Sequence, residues 1–313
     1  MHRRSFLPLL LVLISLTMAS PAMAYIFFVN TTSDTTDALP GDGICKDNSG
    51  NCSLRAAVME ANASNLVGDH IIILQPSEVY NLTKDDDGSG HCKDSGADND
   101  DLDISSTITI YGNNAIIKRA STYGCDLDSS CEKGELRIFE VLSQGKLTLR
   151  DVSIQNGCAD SSTNYDTSKG GRIFNNKGEV TIINSSIQKN KGRDEGGGIY
   201  NNAGSMNIID SSIYQNTTNN NGGGILNKSE LTIIGSSIYD NSSYNGGGIY
   251  CQGTSTITNS TIYNNIASKD GAGLFGYYNN AYISFVTFAE NSASGNGGGA
   301  YFKGVTSTVK IKN

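Results

Sequence analysis

One segment recurs through the second half of this chain: LTLRDVSIQNG (147–157), VTIINSSIQKN (180–190), MNIIDSSIYQN (206–216), LTIIGSSIYDN (231–241), STITNSTIYNN (255–265) and AYISFVTFAEN (281–291). A further copy begins at residue 307. Successive copies start 33, 26, 25, 24, 26 and 26 residues apart. A period in the twenties is typical of a solenoid, in which each repeat forms one coil and stacks on the last.

Glycine-rich turns separate the copies. The tetrapeptide GGGI occurs at 196–199, 222–225 and 246–249, GGGA occurs at 297–300, and looser versions occur at 170–173 and 271–274. The repeats are rich in β-branched residues and poor in helix formers, which argues against leucine-rich repeats and for coils of short strands. The pattern predicts an all-β fold, a parallel β-helix with rungs about 4.8 Å apart.

Two positions of the repeat are predicted to build the core. The third and eighth positions carry apolar residues, and the alternation of side chains along a strand would turn both inward. Each buried isoleucine would contribute about 1.5–3 kcal/mol. The two columns are Leu149, Ile182, Ile208, Ile233, Ile257 and Ile283, and Ile154, Ile187, Ile213, Ile238, Ile262 and Phe288.

Other positions repeat polar or aromatic residues. The stacked asparagines of the eleventh position predict a structural ladder, bonded from rung to rung, rather than a ligand site; they are Asn190, Asn216, Asn241, Asn265 and Asn291. The glycines are expected to take positive φ at the corners. Tyr214, Tyr239 and Tyr263 are predicted to form an outward stripe. The stripe would either pack on the sheet surface or stack against carbohydrate.

Composition excludes some functions. The chain has 313 residues, 37% of them hydrophobic and 17% charged, with a formal net charge of −8. The negative charge disfavours nucleic acid and anionic membranes as partners. Residues 1–24 combine two arginines, a short apolar run and an A-x-A site, which predicts a signal peptide cleaved after Ala24 and export of the chain. No later stretch is long and apolar enough to predict a transmembrane span.

Seven cysteines are consistent with an oxidising compartment. Their spacing suggests small loops closed by Cys45–Cys52 and by Cys125–Cys131, and a longer link between Cys92 and Cys158. The remaining thiol, Cys251, would then be free or intermolecular. There is no C-x-x-C pair, so a zinc site or a thioredoxin-like role is not indicated.

The region 25–146 is less regular and is interpreted as a cap followed by irregular first rungs, with the regular repeats at 147–313. Residues 52–63 (CSLRAAVMEANA) predict a short amphipathic helix, because Leu54, Val58 and Ala61 recur at helical spacing. Ser53 can serve as its N-cap. Such a helix can cover the open first rung of a solenoid.

The residues around this helix resemble a known family. The run GDGIC (41–45), followed by CSLRAAV (52–58) and by DLDI (101–104), resembles the CSLREA-motif family of exported bacterial β-helix proteins. The GGGI turns and the FAEN of 288–291 resemble the repeats of chlamydial polymorphic membrane proteins. The resemblance implies a right-handed, pectin-lyase-like β-helix, export, surface display and, in some relatives, adhesion. Ala56 stands where the family has Glu, so the capping box with Ser53 is incomplete.

A polysaccharide-active enzyme is the alternative function, since β-helices host lyases and hydrolases. Position five offers Asp151 and Asp210 as a carboxylate pair, separated by the rung of Asn184. Inverting hydrolysis needs two carboxyl groups about 6.5–9.5 Å apart. The Asn-Thr-Asp and Gly-His-Gly signatures of polygalacturonases are missing, so no catalytic residue is assigned.

The acidic segment 85–103 is the candidate cofactor site. Calcium prefers six to eight oxygen ligands, which a cluster of aspartates can supply. The segment lacks the EF-hand spacing, and a solvated acidic loop is the competing interpretation. The candidate ligands are Asp85, Asp87, Asp98, Asp100, Asp101 and Asp103.

The sequence therefore predicts a secreted or surface-exposed, adhesin-like protein that binds a glycan or a host or matrix surface without catalysis of its own. Self-association through an uncapped last rung is a further possibility for its partner. Because the last repeat stops mid-rung, a fragment of a larger autotransporter-type surface protein is a third interpretation. Extracellular, cell-surface and periplasmic locations are all compatible with export.

Overall fold

The structure is a computed structural model that describes residues 24–64, 66, 68–84, 101–119, 137–159, 172–304 and 308–312. Several predictions concern residues outside these ranges. They are the signal peptide up to residue 23, the acidic segment at 85–100, any bridge of Cys92, and the Cys125–Cys131 bridge.

The elements alternate short strands with tight corners along the whole described chain. The first are β1 (Ile26–Phe28), α1 (Leu54–Ala63), β2 (His70–Ile73), β3 (Val79–Leu82), β4 (Leu102–Ile104), β5 (Thr107–Arg119), β6 (Phe139–Val141), β7 (Lys146–Gln155) and β8 (Cys158–Ala159). The next are β9 (Ile173–Ile183), β10 (Ser186–Gln188), β11 (Lys191–Gly192), β12 (Ile199–Ile209), β13 (Ser212–Tyr214), β14 (Thr217–Thr218), β15 (Ile225–Asn227), β16 (Glu230–Ile234), β17 (Ser237–Tyr239) and β18 (Ser242–Ser243). The last are β19 (Ile249–Cys251), β20 (Thr254–Thr258), β21 (Thr261–Tyr263), β22 (Ile266–Ala267), β23 (Leu274–Tyr277), β24 (Asn280–Ser284), β25 (Thr287–Ala289), β26 (Ser292–Ala293), β27 (Ala300–Lys303) and β28 (Thr308–Lys312).

One rung illustrates the path of the chain. Strands β16, β17 and β19 lie on three faces, which we call face 1, face 2 and face 3, and the short strand β18 lies between faces 2 and 3. Each strand pairs in parallel with its counterpart one rung later, β16 with β20, β17 with β21 and β19 with β23. The molecule is thus a right-handed parallel β-helix with a short N-terminal helix, which confirms the fold predicted from the repeat.

The two predicted columns form the core. Isoleucines of the third and eighth repeat positions meet their counterparts in register, such as Ile233 with Ile257 and Ile238 with Ile262, and all four are fully buried. The last member of the second column, Phe288, is only half-buried. The core is one continuous apolar cluster that extends from the N-terminal strands to the last described rungs.

The glycine triplets differ from the prediction. Only the first glycine of each triplet has positive φ, 72° at Gly222. Gly223 and Gly224 lack positive φ and are required for another reason: an added Cβ would lie 2.4 Å from the carbonyl oxygen of Gly247 at the former and 3.1 Å from Cγ of Asn241 at the latter. The second glycine therefore permits close approach of the backbones, and the third leaves room for an asparagine side chain.

The asparagines of the eleventh position form a buried ladder. The side-chain amide of each donates to the side-chain oxygen of the next, at 2.8 Å from Asn190 to Asn216 and at 3.0 Å from Asn216 to Asn241 and from Asn241 to Asn265. Asn265 donates in turn to Asn291 at 2.9 Å. The same side-chain oxygens accept the backbone N–H of the preceding asparagine, so the ladder closes this corner in the rungs from Asn190 to Asn291.

A second amide ladder, which was not predicted from the repeat, lies on face 3. Asn175 donates to Asn201 at 2.8 Å, and Asn201 donates to Asn227 at 2.7 Å. The next residue of this column is Cys251, whose sulfur accepts from Asn227 at 3.4 Å. Cys251 is a buried free thiol, and burial raises its pKa. Its column position explains why it is left over from any disulfide pairing.

Face 3 also carries an apolar column on its outer side. Its members pack against one another as a cluster separate from the core: Phe174, Tyr200, Leu226, Tyr250 and Phe275. Lys228 lies over the Tyr200 ring, at 5.1 Å from its centroid, and its Nζ is 2.8 Å from a carboxylate oxygen of Glu195. The first glycine of each triplet approaches this column, because a Cβ added at Gly271 would be 2.7 Å from that of Phe275.

Helix α1 begins at Leu54, two residues later than predicted, and Ser53 is its N-cap, with Oγ accepting from the N–H of Ala56 at 3.0 Å. At its other end, the buried Glu60 accepts the N–H groups of Gly41 and Gly43 at 2.6 and 2.5 Å. The residues around the resemblance thus have a structural role: Glu60 holds the loop of Gly41 and Gly43 against the helix at the first rung. No helix among the described residues is long and apolar enough to cross a membrane.

The Cys45–Cys52 bridge closes the loop before the helix. Replacing both cysteines by serine, or reducing the bridge, should lower the free energy of unfolding by about 2 kcal/mol, because the cross-link restricts the unfolded chain. Thermal melting with and without a thiol reductant measures the effect. The double serine variant is the control, and reductant should lower its melting temperature less than that of the parent protein. An unchanged melting temperature in the reduced parent protein would contradict a structural role for the bridge.

Candidate functional site

A polar groove of about 280 Å³ runs along the corner between faces 1 and 2 over the rungs of β5, β7, β9 and β12. Its lining residues come from equivalent positions of successive rungs: Asn114, Asp151, Val152, Ser153, Asn184, Ser185, Ser186, Asp210 and Ser212. Because the rungs stack in register, the groove presents the same kinds of side chain repeatedly along the solenoid axis.

The corner backbone explains why these side chains point outward. Asp151, Asn184 and Asp210 have φ values of 53°, 46° and 48°, a left-handed conformation that aspartate and asparagine tolerate better than most residues. The strand direction changes at this residue, so its side chain projects from the corner. The next residue is a buried serine in two of these rungs, and the Oγ of Ser185 donates to the carbonyl of Ile183 at 2.7 Å.

Hydrogen bonds between rungs organise the groove. The amide of Asn184 donates to the carboxylate of Asp151 on the rung before it. Ser186 donates to Ser153 through their hydroxyls at 2.9 Å, and Gln188 donates to Ser153 at 3.0 Å. Asp210 leans the other way, over Gly235, where an added Cβ would be 2.3 Å from its Oδ1. The result is a line of carboxylate, amide and hydroxyl groups.

The structure brings the predicted carboxylate pair, Asp151 and Asp210, to this one groove. Asn184 lies on the rung between them, and Asp210 is exposed while Asp151 is only half-buried. Neither carboxylate is enclosed by apolar side chains, and both are in contact with solvent along the open groove. What the arrangement can do chemically is accept and donate hydrogen bonds to a ligand rich in hydroxyl groups.

The serines and Asn114 were not among the predicted site residues. The signal was present, because serine recurs two positions after the corner in four successive repeats: Ser153, Ser186, Ser212 and Ser237. Only the left-handed corner places these serines next to the aspartate and asparagine of the corner, and that conformation is not evident from the repeat pattern alone.

The three predicted aromatic residues form a stack on face 2. The Tyr214 and Tyr239 rings have centroids 4.8 Å apart and planes 3° apart, and Tyr239 and Tyr263 are related in the same way, 4.8 Å and 8°. Each ring face between them is covered by the next ring, so the stack presents mainly ring edges and hydroxyls. Partial burial raises the pKa of Tyr214 and of Tyr239 above the ordinary value of a tyrosine.

Two of the predicted calcium ligands lie in the described residues. Asp101, Asp103 and Glu140 offer carboxylate oxygens that all lie within 4.8 Å of one another. The guanidinium of Arg137 already binds this cluster, with Nε 2.8 Å from Asp101 and Nη2 2.5 Å from Glu140. An internal cation thus neutralises much of the cluster, which fits an ion-pair network better than a metal site. Calcium binding by the acidic segment 85–103 stays a prediction.

Comparisons with protein-family models, with curated proteins and with solved structures find no match for this chain. The resemblance to the CSLREA-motif and polymorphic membrane protein families therefore stays a prediction.

Proposed function

We propose that this chain is an exported, adhesin-like β-helix module that binds a glycan lengthwise in the corner groove and carries out no reaction on it. The observation that supports the proposal is the line of Asp151, Asn184 and Asp210 beside the serine hydroxyls. Carboxylates and amides pair with sugar hydroxyls through strong, directional hydrogen bonds.

The repeat of the fold favours an extended polymer as the ligand. Parallel strands are about 4.8 Å apart, which is similar to the length of one sugar residue in an extended chain. Successive rungs can therefore offer equivalent groups to successive sugars. The carboxylates of Asp151 and Asp210 would repel uronic acids and sulfated sugars, so the proposal is for a neutral or amino-sugar glycan.

Export is part of the proposal. The Cys45–Cys52 bridge is typical of proteins in oxidising compartments. The basic and apolar pattern of residues 1–24 and the resemblance to exported β-helix families agree with it. A surface location would place the groove against host, matrix or neighbouring-cell glycans.

Binding to a panel of neutral, amino-sugar and acidic polysaccharides tests the function, using the chain purified after export and oxidised. We expect retention on neutral or amino-sugar polymers. The double substitution Asn184→Ala and Asp210→Ala should weaken it about tenfold or more, since a hydrogen bond to a charged group is worth about 1.5–3 kcal/mol. Asn264→Ala is the matched control, because its amide donates to Asp240 at another exposed corner, outside the groove.

The outcomes separate the alternatives. Equal binding by the parent protein and the double variant would place the ligand elsewhere and overturn the site. Release of oligosaccharides by the parent protein would overturn the absence of catalysis and would turn attention to the Asp151 and Asp210 carboxylates. Retention only on acidic polymers would contradict the assigned class of ligand.

A further inference from the structure

The stacked tyrosines of face 2 have a geometry that the glycan proposal does not use. Strands β13, β17 and β21 pair in register, which places Tyr214 opposite Tyr239 and Tyr239 opposite Tyr263. The rings are nearly parallel, with centroids 4.8 Å apart in both steps. All three side chains are half-buried, so each ring keeps an edge in contact with solvent.

We propose that Tyr214, Tyr239 and Tyr263 form an oxidative cross-linking site, at which a heme peroxidase using hydrogen peroxide joins adjacent rungs through dityrosine. One-electron oxidation removes an electron and the hydroxyl proton from a tyrosine and gives a phenoxyl radical. Part of its unpaired electron resides on the ring carbons next to the C–O carbon. Two such radicals on stacked rings are already within reach of each other.

The reaction balances without any group on the protein besides the two phenols. A carbon–carbon bond forms between the Cε atoms of two tyrosines, and one C–H bond on each ring breaks as the rings regain aromaticity. The two tyrosines together lose two electrons and two protons. Hydrogen peroxide takes both and is reduced to two molecules of water.

The stack of Tyr214, Tyr239 and Tyr263, which we also call the tyrosine ladder, differs from the other aromatic contacts of the described residues. Tyr250 stacks on Phe275, which cannot form a phenoxyl radical. Tyr277 and Tyr278 have centroids 4.6 Å apart, but their planes are 84° apart and the residues are adjacent in sequence, so a link there would join no rungs. Among the ring contacts of the described residues, only those of Tyr214, Tyr239 and Tyr263 stack tyrosines from successive rungs on one another, and peptide mapping can identify a link between them.

A dityrosine staple would strengthen an exported solenoid where it is weakest. Each rung contacts mainly its neighbours, so a solenoid can open locally between rungs. A covalent bond between Tyr214 and Tyr239 prevents that opening between β13 and β17. The proposal does not depend on glycan binding, and its experiment reads a different signal.

The test exposes the parent chain, Tyr239→Phe and Tyr244→Phe to a heme peroxidase with hydrogen peroxide at low protein concentration. The parent should give a monomeric product that has lost two hydrogen atoms, shows dityrosine fluorescence and yields a linked peptide pair containing Tyr239. Tyr239→Phe should lose most of this product, because Tyr214 and Tyr263 are then two rungs apart. Tyr244→Phe, an exposed tyrosine outside the ladder, should behave as the parent.

Circular dichroism of Tyr239→Phe before oxidation checks that the variant keeps its fold, and a parent sample unfolded in urea should lose the rung-to-rung link. Undiminished intramolecular dityrosine in Tyr239→Phe would overturn the proposal. So would products found only between molecules, or only as a Tyr277–Tyr278 link.

Discussion

Replacing Asn241 by alanine should lower the free energy of unfolding by about 2–5 kcal/mol, one of the largest effects expected of any single polar substitution in this protein. Asn241 is fully buried at the centre of the eleventh-position ladder. Its amide donates to the carbonyl of Ile213 at 2.9 Å and to Asn265 at 3.0 Å. Its oxygen accepts both the backbone N–H and the side-chain amide of Asn216, each at 3.0 Å.

The size of the effect follows from what the substitution leaves behind. Alanine removes four hydrogen bonds at once, in a place without contact with solvent. The N–H of Asn216 keeps its burial and loses its acceptor, and an unsatisfied buried group costs about 1–3 kcal/mol. The empty volume beside Gly224 adds a cavity cost, because that glycine makes room for this side chain.

Asn264→Ala is the control for this measurement, because its amide also bonds to the preceding rung but does so on the exposed surface. Urea unfolding should show a large loss of stability for Asn241→Ala and a loss of less than about 1 kcal/mol for Asn264→Ala. Equal and small losses would contradict the view that the buried ladder holds the rungs together.

The repeat spacing was enough to predict the fold. A β-helix places equivalent residues above one another, so each contact between rungs joins the same position of successive repeats and is visible when the repeats are aligned. Ile233 above Ile208 and Asn241 above Asn216 are contacts of this kind. The same logic could have predicted the second ladder, since asparagine recurs at 175, 201 and 227. That column went unseen because Cys251 and Gly276 break it.

The groove could not be predicted in the same way. Its shape depends on a left-handed backbone at Asp151, Asn184 and Asp210, and these residue types also occur in turns of other conformations. The roles of the second and third glycines were also hidden. A glycine in a sequence usually indicates a need for conformational freedom. Gly223 is required for a different reason: an added Cβ would collide with the carbonyl oxygen of Gly247 on the next rung, and only the folded structure brings the two together.

The rung of β7 departs from the repeat at two positions, the asparagine of the eleventh position and the third glycine of the triplet. The two departures compensate for each other. At the eleventh position it has Gly157 instead of asparagine, and at the third triplet position it has Arg172 instead of glycine. An added Cβ at Gly157 would lie 0.5 Å from Nε of Arg172, so the arginine side chain fills the space that an asparagine fills in other rungs. Arg172 also continues the ladder, because its Nε donates to the side-chain oxygen of Asn190 at 3.1 Å.

Burial of Arg172 makes the stability of this rung sensitive to substitution. The side chain is fully buried. Burial, followed by the charge of Arg119, lowers the pKa of Arg172 well below its ordinary value. Gly157→Asn should therefore cost about 2–4 kcal/mol, since it displaces a buried guanidinium, and Arg172→Gly should cost a similar amount through the cavity it leaves.

The double variant Gly157→Asn with Arg172→Gly should recover about 1–3 kcal/mol relative to the sum of the two single losses, because it restores the arrangement of the following rungs. Urea unfolding of the four proteins measures this coupling. Gly50→Asn is the control: nothing lies within 4 Å of a Cβ added there, and combined with Arg172→Gly it should show no coupling. Additive losses in the Gly157 and Arg172 pair would mean that the arginine does not replace the ladder amide. Recovery of stability in the double variant would show that the side chain filling this corner of a rung can come from either of two positions, the eleventh position of the repeat or the third position of the triplet.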